Sequence, residues 1–140
     1  MIKASELKLV EIIKMGGGFA TLENINSYLK KEDEKGFLEC PQDCLSQFLN
    51  GLIIFKRGKD ETRPPMPLEL PTNNVVLKKL RVAFELKDDD IIIFLEQAGQ
   101  KVSKAEISAL FRKAGHQNYR ECGDQFLRQF LKGLTNKIRI

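Results

Sequence analysis

Apolar positions recur along this chain at the spacing of helices. In the last stretch Phe126, Leu127, Phe130, Leu131 and Leu134 fall on one face of a helix opening at Asp124 or Cys122. Upstream, Ser103-Lys-Ala-Glu106 has the form of a capping box, in which hydroxyl and carboxylate satisfy the first free amides of a helix. Ile107, Leu110 and Phe111 follow it at helical spacing. Asp88 is placed to cap a helix over 89–97 whose acidic first turn suits the positive end of the dipole, and Gly99 to end it. Asn73 or Asn74 is placed to cap a helix holding Val76, Leu77, Leu80, Val82, Ala83 and Phe84. The first half predicts helices over 8–15, 22–31 and 42–56.

The two halves are copies. At an offset of 82, residues 4–52 align with 86–134 without a gap and with eleven identities. Leu45-Ser-Gln-Phe-Leu-Asn-Gly-Leu52 lies on Leu127-Arg-Gln-Phe-Leu-Lys-Gly-Leu134, and Phe37-Leu-Glu-Cys40 on Tyr119-Arg-Glu-Cys122. Gly17 meets Gly99, Ile25 meets Ile107 and Lys31 meets Lys113. Between the copies, residues 58–71 hold four of the five prolines. Proline lacks an amide donor and restricts its predecessor, so this stretch predicts an extended, semi-stiff linker. The expected fold is all-α, with two tandem helical repeats, each a helix-turn-helix-like unit of three or four helices, joined by the Pro-rich linker. The expected boundaries are 1–57, 58–72 and 73–140.

The copies differ at their start. A counterpart of the Asn73–Leu86 segment would precede Met1, so copy one lacks its first helix and leaves apolar residues such as Leu9, Ile12 and Ile13 to be covered. Either the start is truncated, or something else covers that groove: the other copy, a second chain in a homodimer, a protein partner or a repacked core.

Three stretches carry a resemblance. Gly115-His-Gln-Asn-Tyr-Arg-Glu-Cys-Gly-Asp-Gln-Phe-Leu-Arg-Gln-Phe-Leu-Lys-Gly-Leu134 resembles the YehS-like bacterial family, a domain of unknown function (DUF1456). Asn73-Asn-Val-Val-Leu-Lys-Lys-Leu-Arg-Val-Ala83 with Asp88–Asp90, and Phe48-Leu-Asn-Gly-Leu-Ile-Ile-Phe-Lys-Arg-Gly58, are similar to it too. The resemblance covers nearly the whole chain. It implies two tandem copies, each opened by an Asn-capped helix, and brings no activity, cofactor or catalytic residue.

Composition narrows the class. The 140 residues are 42% hydrophobic and 30% charged, which excludes a disordered or collagen-like chain. No apolar run approaches a membrane span, and the N-terminus has no signal core, so a cytoplasmic protein is expected. Three cysteines without a secretion signal predict reduced thiols. The net charge of +4 is unevenly shared: residues 1–70 carry 10 basic and 11 acidic side chains, residues 71–140 carry 13 and 8.

That basic second half raises nucleic acid as a partner. Helices over 89–97 and 103–113, with a glycine in the turn, have helix-turn-helix spacing. The second would present Lys104, Ser108, Arg112 and Lys113, with Lys101, Lys113 and Arg120 on phosphates. The intervening loop adds His116, Asn118 and Tyr119. The candidate binding patch is therefore Lys101, Lys104, Arg112, Lys113, His116, Asn118, Tyr119 and Arg120. Copy one weakens this reading, because the matching helix shows Glu23, Asn24, Asn26 and Ser27.

Catalytic and metal readings are thinner. His116, the only histidine, is a general base or ligand by type, but copy one has Glu34 there and no nucleophile stands at a useful spacing. The bland reading has Tyr119 and Phe37 plugging the core, and Glu121 and Glu39 satisfying amides at a helix start. Cys40, Cys44, Cys122 and His116 could form a zinc set, although no Cys-x2-Cys pair exists. A cysteine at a helix N-terminus could be a reactive thiol. Gly16-Gly-Gly18 follows a helix and reads as its end, without the strand and Lys-Ser or Lys-Thr of a phosphate loop. Asp88–Asp90 lacks the calcium-loop spacing. The expectation is a non-enzymatic protein-interaction or adaptor module without cofactor or metal; a nucleic-acid-binding protein is the first alternative, and an enzyme or redox role for the His116/Cys122 loop the second.

Overall fold

The computed structural model describes residues 4–62 and 64–138. Seven helices and no strand occur among them. They are α1 (Ala4–Met15), α2 (Leu22–Tyr28), α3 (Gln42–Arg57), α4 (Asn73–Ala83), α5 (Asp88–Gln97), α6 (Lys104–Leu110) and α7 (Asp124–Ile138). The chain divides into two units, 1–71 and 72–140.

The duplication is reproduced down to single hydrogen bonds. Both α1 and α5 end in a left-handed glycine, Gly17 and Gly99, around which the chain folds back. The Gly18 amide donates to the Ile13 carbonyl and the Gln100 amide to the Leu95 carbonyl, each at the offset of 82. The glycines of Gly16–Gly18 thus serve a helix end. At the next helix, Thr21 Oγ1 accepts from the Asn24 amide at 3.0 Å and Ser103 Oγ from the Glu106 amide at 3.2 Å. The side chains at 24 and 106 return the bond to the cap amides, which completes a capping box in each unit.

In unit 1 the core is Ile13, Ala20, Ile25 and Cys44, with Leu9, Tyr28 and Phe48 against it. α1 crosses α3 so closely that a methyl group on Gly51 would fall on the Ile12 carbonyl. In unit 2 the fully buried side chains are Leu77, Ile91, Leu95, Ile107 and Phe130. Gly133, the counterpart of Gly51, lies where a methyl group would strike Phe94. Phe94 packs tilted against Phe130 with centroids 5.8 Å apart.

Several helix ends differ from expectation, each for a local reason. The cap of α4 is Thr72, whose hydroxyl accepts from the Val75 amide at 3.3 Å; Asn73 and Asn74 lie inside the helix. At α5, Asp90 accepts from the Lys87 amide at 2.8 Å, so the helix starts one residue before the expected 89. α1 begins at Ala4, earlier than residue 8. α2 stops at Tyr28 and α6 at Leu110, short of residues 31 and 113. In both places the chain turns instead. His116 donates to Lys113 and Tyr119 to His116 through main-chain amides, as Glu34 does to Lys31 and Phe37 to Glu34.

The described residues of 58–71 contain no helix, and the segment groups with unit 1. Asn50 Nδ2 donates to the Pro67 carbonyl at 3.3 Å, and the Glu69 amide donates to Ser46 Oγ at 3.2 Å. Ser46 and Asn50 are buried on α3, whereas their counterparts on α7, Arg128 and Lys132, are exposed.

Candidate functional site

In unit 2, α4 closes the end of the helical cluster. Asn74 Nδ2 donates to the carbonyls of Leu110 and Arg120, both at 2.9 Å, and Asn74 Oδ1 accepts from the Cys122 amide at 2.8 Å. One carboxamide thus ties α4 to the end of α6 and to the strand of loop before α7. Asn73 Nδ2 adds bonds to the Cys122 carbonyl at 3.0 Å and to Asp124 at 2.7 Å. Further along α4, Arg81 pairs with Asp88 at 2.8 Å and lies over the Phe111 ring, 4.4 Å from its centroid.

Unit 1 has no such helix among the described residues, and a groove stands open. It is a hollow of about 200 Å³ with an almost wholly apolar lining that includes Leu9, Ile13, Ile25, Leu29, Cys44 and Phe48. At the offset of 82 these positions become Ile91, Leu95, Ile107, Phe111, Phe126 and Phe130. Ile91, Leu95, Ile107 and Phe130 are sealed from solvent in unit 2. In unit 1, Ile13 and Ile25 are buried too, Leu9 and Phe48 are only half-buried, and Leu29 is 62% exposed where Phe111 is half-buried. Of the apolar residues expected to lie open, Leu9 is half-buried at this groove, whereas Ile13, which lines its floor, and Ile12, which faces α3, are both buried. Tyr28, Leu29, Cys40, Leu45 and Phe48 were not part of that expectation. The signal that would have found them is the repeat itself, which sets them on Leu110, Phe111, Cys122, Leu127 and Phe130 in copy two.

The polar rim of the groove is matched too. The groups equivalent to Asn74's partners are the Tyr28 carbonyl, the Leu38 carbonyl and the Cys40 amide; none meets a side-chain carboxamide among the described residues. Glu6 occupies the position of Asp88, half-buried, with no ion pair among the described residues. Burial, with Cys44 close by, pushes the Cys40 thiol up to about 11. Burial also raises the Tyr28 phenol above its ordinary value.

The basic patch expected on unit 2 is only partly assembled. Lys104 lies 3.6 Å from Asp89, and Arg120 lies 3.3 Å from Glu106, so two of its cations face carboxylates of the same unit. Arg112 and Lys113 lie past the end of α6, in the turns that follow it, and are exposed. Lys101 borders a separate, wide and polar depression over Ala98–Lys101 and Gln125–Gln129. His116 is exposed and its Nδ1 accepts from the Asn118 amide at 3.0 Å. Tyr119 is half-buried, as is Phe37. The expected helix-start role of Glu39 and Glu121 is not realised: both are exposed and neither caps a helix among the described residues.

Cys122 is buried, and burial with the nearby Asp124 charge pushes it up to about 11, opposite to the lowering that a helix N-terminus alone would give. No group of three His, Cys, Asp or Glu side chains positioned for a metal occurs among the described residues. No helix among them is long and apolar enough to cross a membrane.

Two homologous all-α units, one closed by α4 and one with an open groove, define a tandem helical-repeat protein. The chain belongs to the family described as "Protein of unknown function (DUF1456)", which matches residues 1–58 and 73–139, one segment in each unit. It is similar to "Uncharacterized protein YehS" of Escherichia coli (strain K12), with 53% identity over 141 residues, covering 100% of this chain and 90% of the relative. No solved structure matches it.

Proposed function

We infer that this protein is a non-enzymatic interaction module of the cytoplasm, and that it binds another protein through the groove of unit 1. The observation that carries this reading is the apolar groove in which Leu9 and Phe48 are half-buried where Ile91 and Phe130 are sealed, with Leu29 62% exposed where Phe111 is half-buried. Concave apolar surface with polar groups at its rim is the usual form of a protein-binding groove.

The nucleic-acid alternative draws support from Arg112 and Lys113, but Lys104 and Arg120 already face carboxylates and α6 itself carries Glu106. An enzymatic role finds little support: the His116 ring accepts from its own loop, and the thiols of Cys40 and Cys122 are held protonated.

The test places a photoreactive amino acid at Leu29 in cells and, separately, measures anisotropy with duplex DNA and single-stranded RNA at two salt concentrations. The expected result is a discrete protein adduct at Leu29 and no salt-dependent nucleic-acid binding. Tight binding that falls steeply with salt and is lost in Arg112→Ala/Lys113→Ala would replace this reading with the nucleic-acid one.

A further inference from the structure

We propose that the outer face of α7, marked by Arg128, Leu131 and Lys132, is a docking surface for an extended acidic segment of a separate partner protein. This surface lies in unit 2 and is independent of the groove in unit 1.

Unit 1 shows what such a face can hold. On α3, Ser46 and Asn50 stand about one turn apart, and an extended stretch of chain lies across them. Asn50 Nδ2 donates to the Pro67 carbonyl, and Ser46 Oγ accepts from the Glu69 amide. Positions two apart in the extended chain thus meet positions four apart on the helix. The lengths agree, because four helical residues rise about 6 Å and two extended residues about 6.6 Å. Ser46, Leu49 and Asn50 are 3%, 3% and 2% exposed.

At the offset of 82 the same face of α7 presents Arg128, Leu131 and Lys132. Both cations are exposed, and Leu131 is 39% exposed where Leu49 is buried. Neither cation has an ion pair among the described residues. Asp124, the one acid within α7, is bonded to Asn73 at 2.7 Å instead.

The change of side chains dictates a change of occupant. Ser46 accepts from an amide, whereas a guanidinium or an ammonium only donates. A segment laid over α7 must therefore bring acceptors to both positions, and carboxylates serve cations better than neutral carbonyls do. The chain over α3 runs against the helix, with 67 at Asn50 and 69 at Ser46. The same direction on α7 puts an acid opposite Lys132 and a second acid, two residues later, opposite Arg128. Leu131 favours a polypeptide over a sugar–phosphate backbone, because an apolar side chain of the segment can cover it.

The experiment uses the full chain, labelled with nitrogen-15, and a synthetic peptide with the sequence of residues 64–71 carrying Pro67→Glu. Its carboxylates then stand at 67 and 69. Exposed ion pairs are individually weak, so a Kd of about 1 mM is expected, within reach of an NMR titration. Saturable shifts are expected at the amides of 128–132, shrinking as salt is raised. Arg128→Ala/Lys132→Ala is expected to weaken binding about tenfold or more. Both positions are exposed, so the fold should persist, and unchanged shifts elsewhere check it. Arg128→Glu/Lys132→Glu is expected to reject this peptide and to bind one carrying Pro67→Lys and Glu69→Lys, which a merely sticky surface would not do.

Absence of shifts at the solubility limit of the peptide overturns the proposal. So does binding that Arg128→Ala/Lys132→Ala leaves intact, or shifts centred on Ser46 and Asn50, which would mean exchange with the chain's own segment on α3. Single-stranded RNA that shifts the amides of 128–132 and displaces the peptide assigns the face to nucleic acid and overturns it too. A dimer in solution that Arg128→Glu/Lys132→Glu dissociates assigns the face to a second copy, with the same result.

Discussion

Asn74 and Cys122, 48 positions apart in the chain, are joined by a 2.8 Å bond from the Cys122 amide to the Asn74 carboxamide oxygen. The nitrogen of the same carboxamide is spent on Leu110 and Arg120, so the side chain is hydrogen-bonded at both ends. Asn74→Ala strands three backbone groups at a part-buried site. The expected loss is about 2 kcal/mol in the unfolding of unit 2, read from urea titration. Asn74→Asp is expected to lose a similar amount near neutral pH, because a carboxylate accepts from Cys122 but donates to neither carbonyl.

Close helix crossing makes two glycines intolerant of any side chain. Gly51→Ala drives a methyl group onto the Ile12 carbonyl, and Gly133→Ala drives one onto Phe94. Each is expected to destabilise its unit by roughly 1–3 kcal/mol, because the packed helices must move apart. Gly123→Ala, with nothing within 4 Å of the added carbon, serves as the control and is expected to be near neutral. Thermal unfolding of the three variants gives the comparison.

The two capping boxes should respond differently to acid. Ser103→Ala and Thr21→Ala each remove a helix cap, at about 1 kcal/mol apiece near neutral pH. In unit 2 the returning group is Glu106, whose carboxyl lies below its ordinary 4.5 because the Ser103 amide and hydroxyl donate to it and Arg120 is near. Asp90 likewise lies below its ordinary 3.8, held there by the Lys87 amide and by Lys137. Carboxyls lowered by folding stabilise the protein above their unfolded values, and this is lost as pH falls through the folded ones. Stability of unit 2 is therefore expected to be flat down to about pH 5 and to decline below it. Glu106→Gln or Asp90→Asn should shallow that decline. The unit 1 box uses Asn24, so its contribution should not titrate.

The thiols give a prediction at the other end of the scale. Cys40 and Cys122 sit at about 11 in the folded chain against an ordinary 9.0. Their protonated forms favour folding below the unfolded value, and that contribution falls away as pH rises from about 9 toward about 11. Reaction with a disulfide reagent at pH 8 is expected to be much slower than that of unfolded protein, and to approach it only in alkaline solution. Equal rates at pH 8 would refute the protonated state.

Much of this architecture was legible in the sequence because it rests on local chemistry. Ser103 and Glu106 announced their capping box, and Gly17 and Gly99 their helix ends, since each acts within a few residues of itself. The offset of 82 exposed the duplication. Long-range partners were not legible. Asn73 and Asn74 read as caps, yet the cap is Thr72, and their carboxamides are directed at a loop that only tertiary packing brings close. α2 and α6 were expected, but each ends three residues before the predicted 31 and 113, because the main-chain turns that follow leave no mark in side-chain periodicity. Nor did Ser46 and Asn50 reveal that they hold Pro67 and Glu69. The groove was half visible: Leu9 and Ile13 were expected to lie open, but its rim follows only from comparing the units residue by residue.

The loops before α3 and α7 have a consequence for how the two halves can diverge. Their shape is set by amides and carbonyls at 31, 34 and 37 in one half and at 113, 116 and 119 in the other. At 34 and 116 this frame carries side chains of opposite chemical character, and each accepts from an amide of its own loop: Glu34 Oε1 from Lys31 at 3.2 Å and His116 Nδ1 from Asn118 at 3.0 Å. These two loops are thus a protected space for innovation, where one half of the molecule can acquire a new specificity while its twin preserves the old.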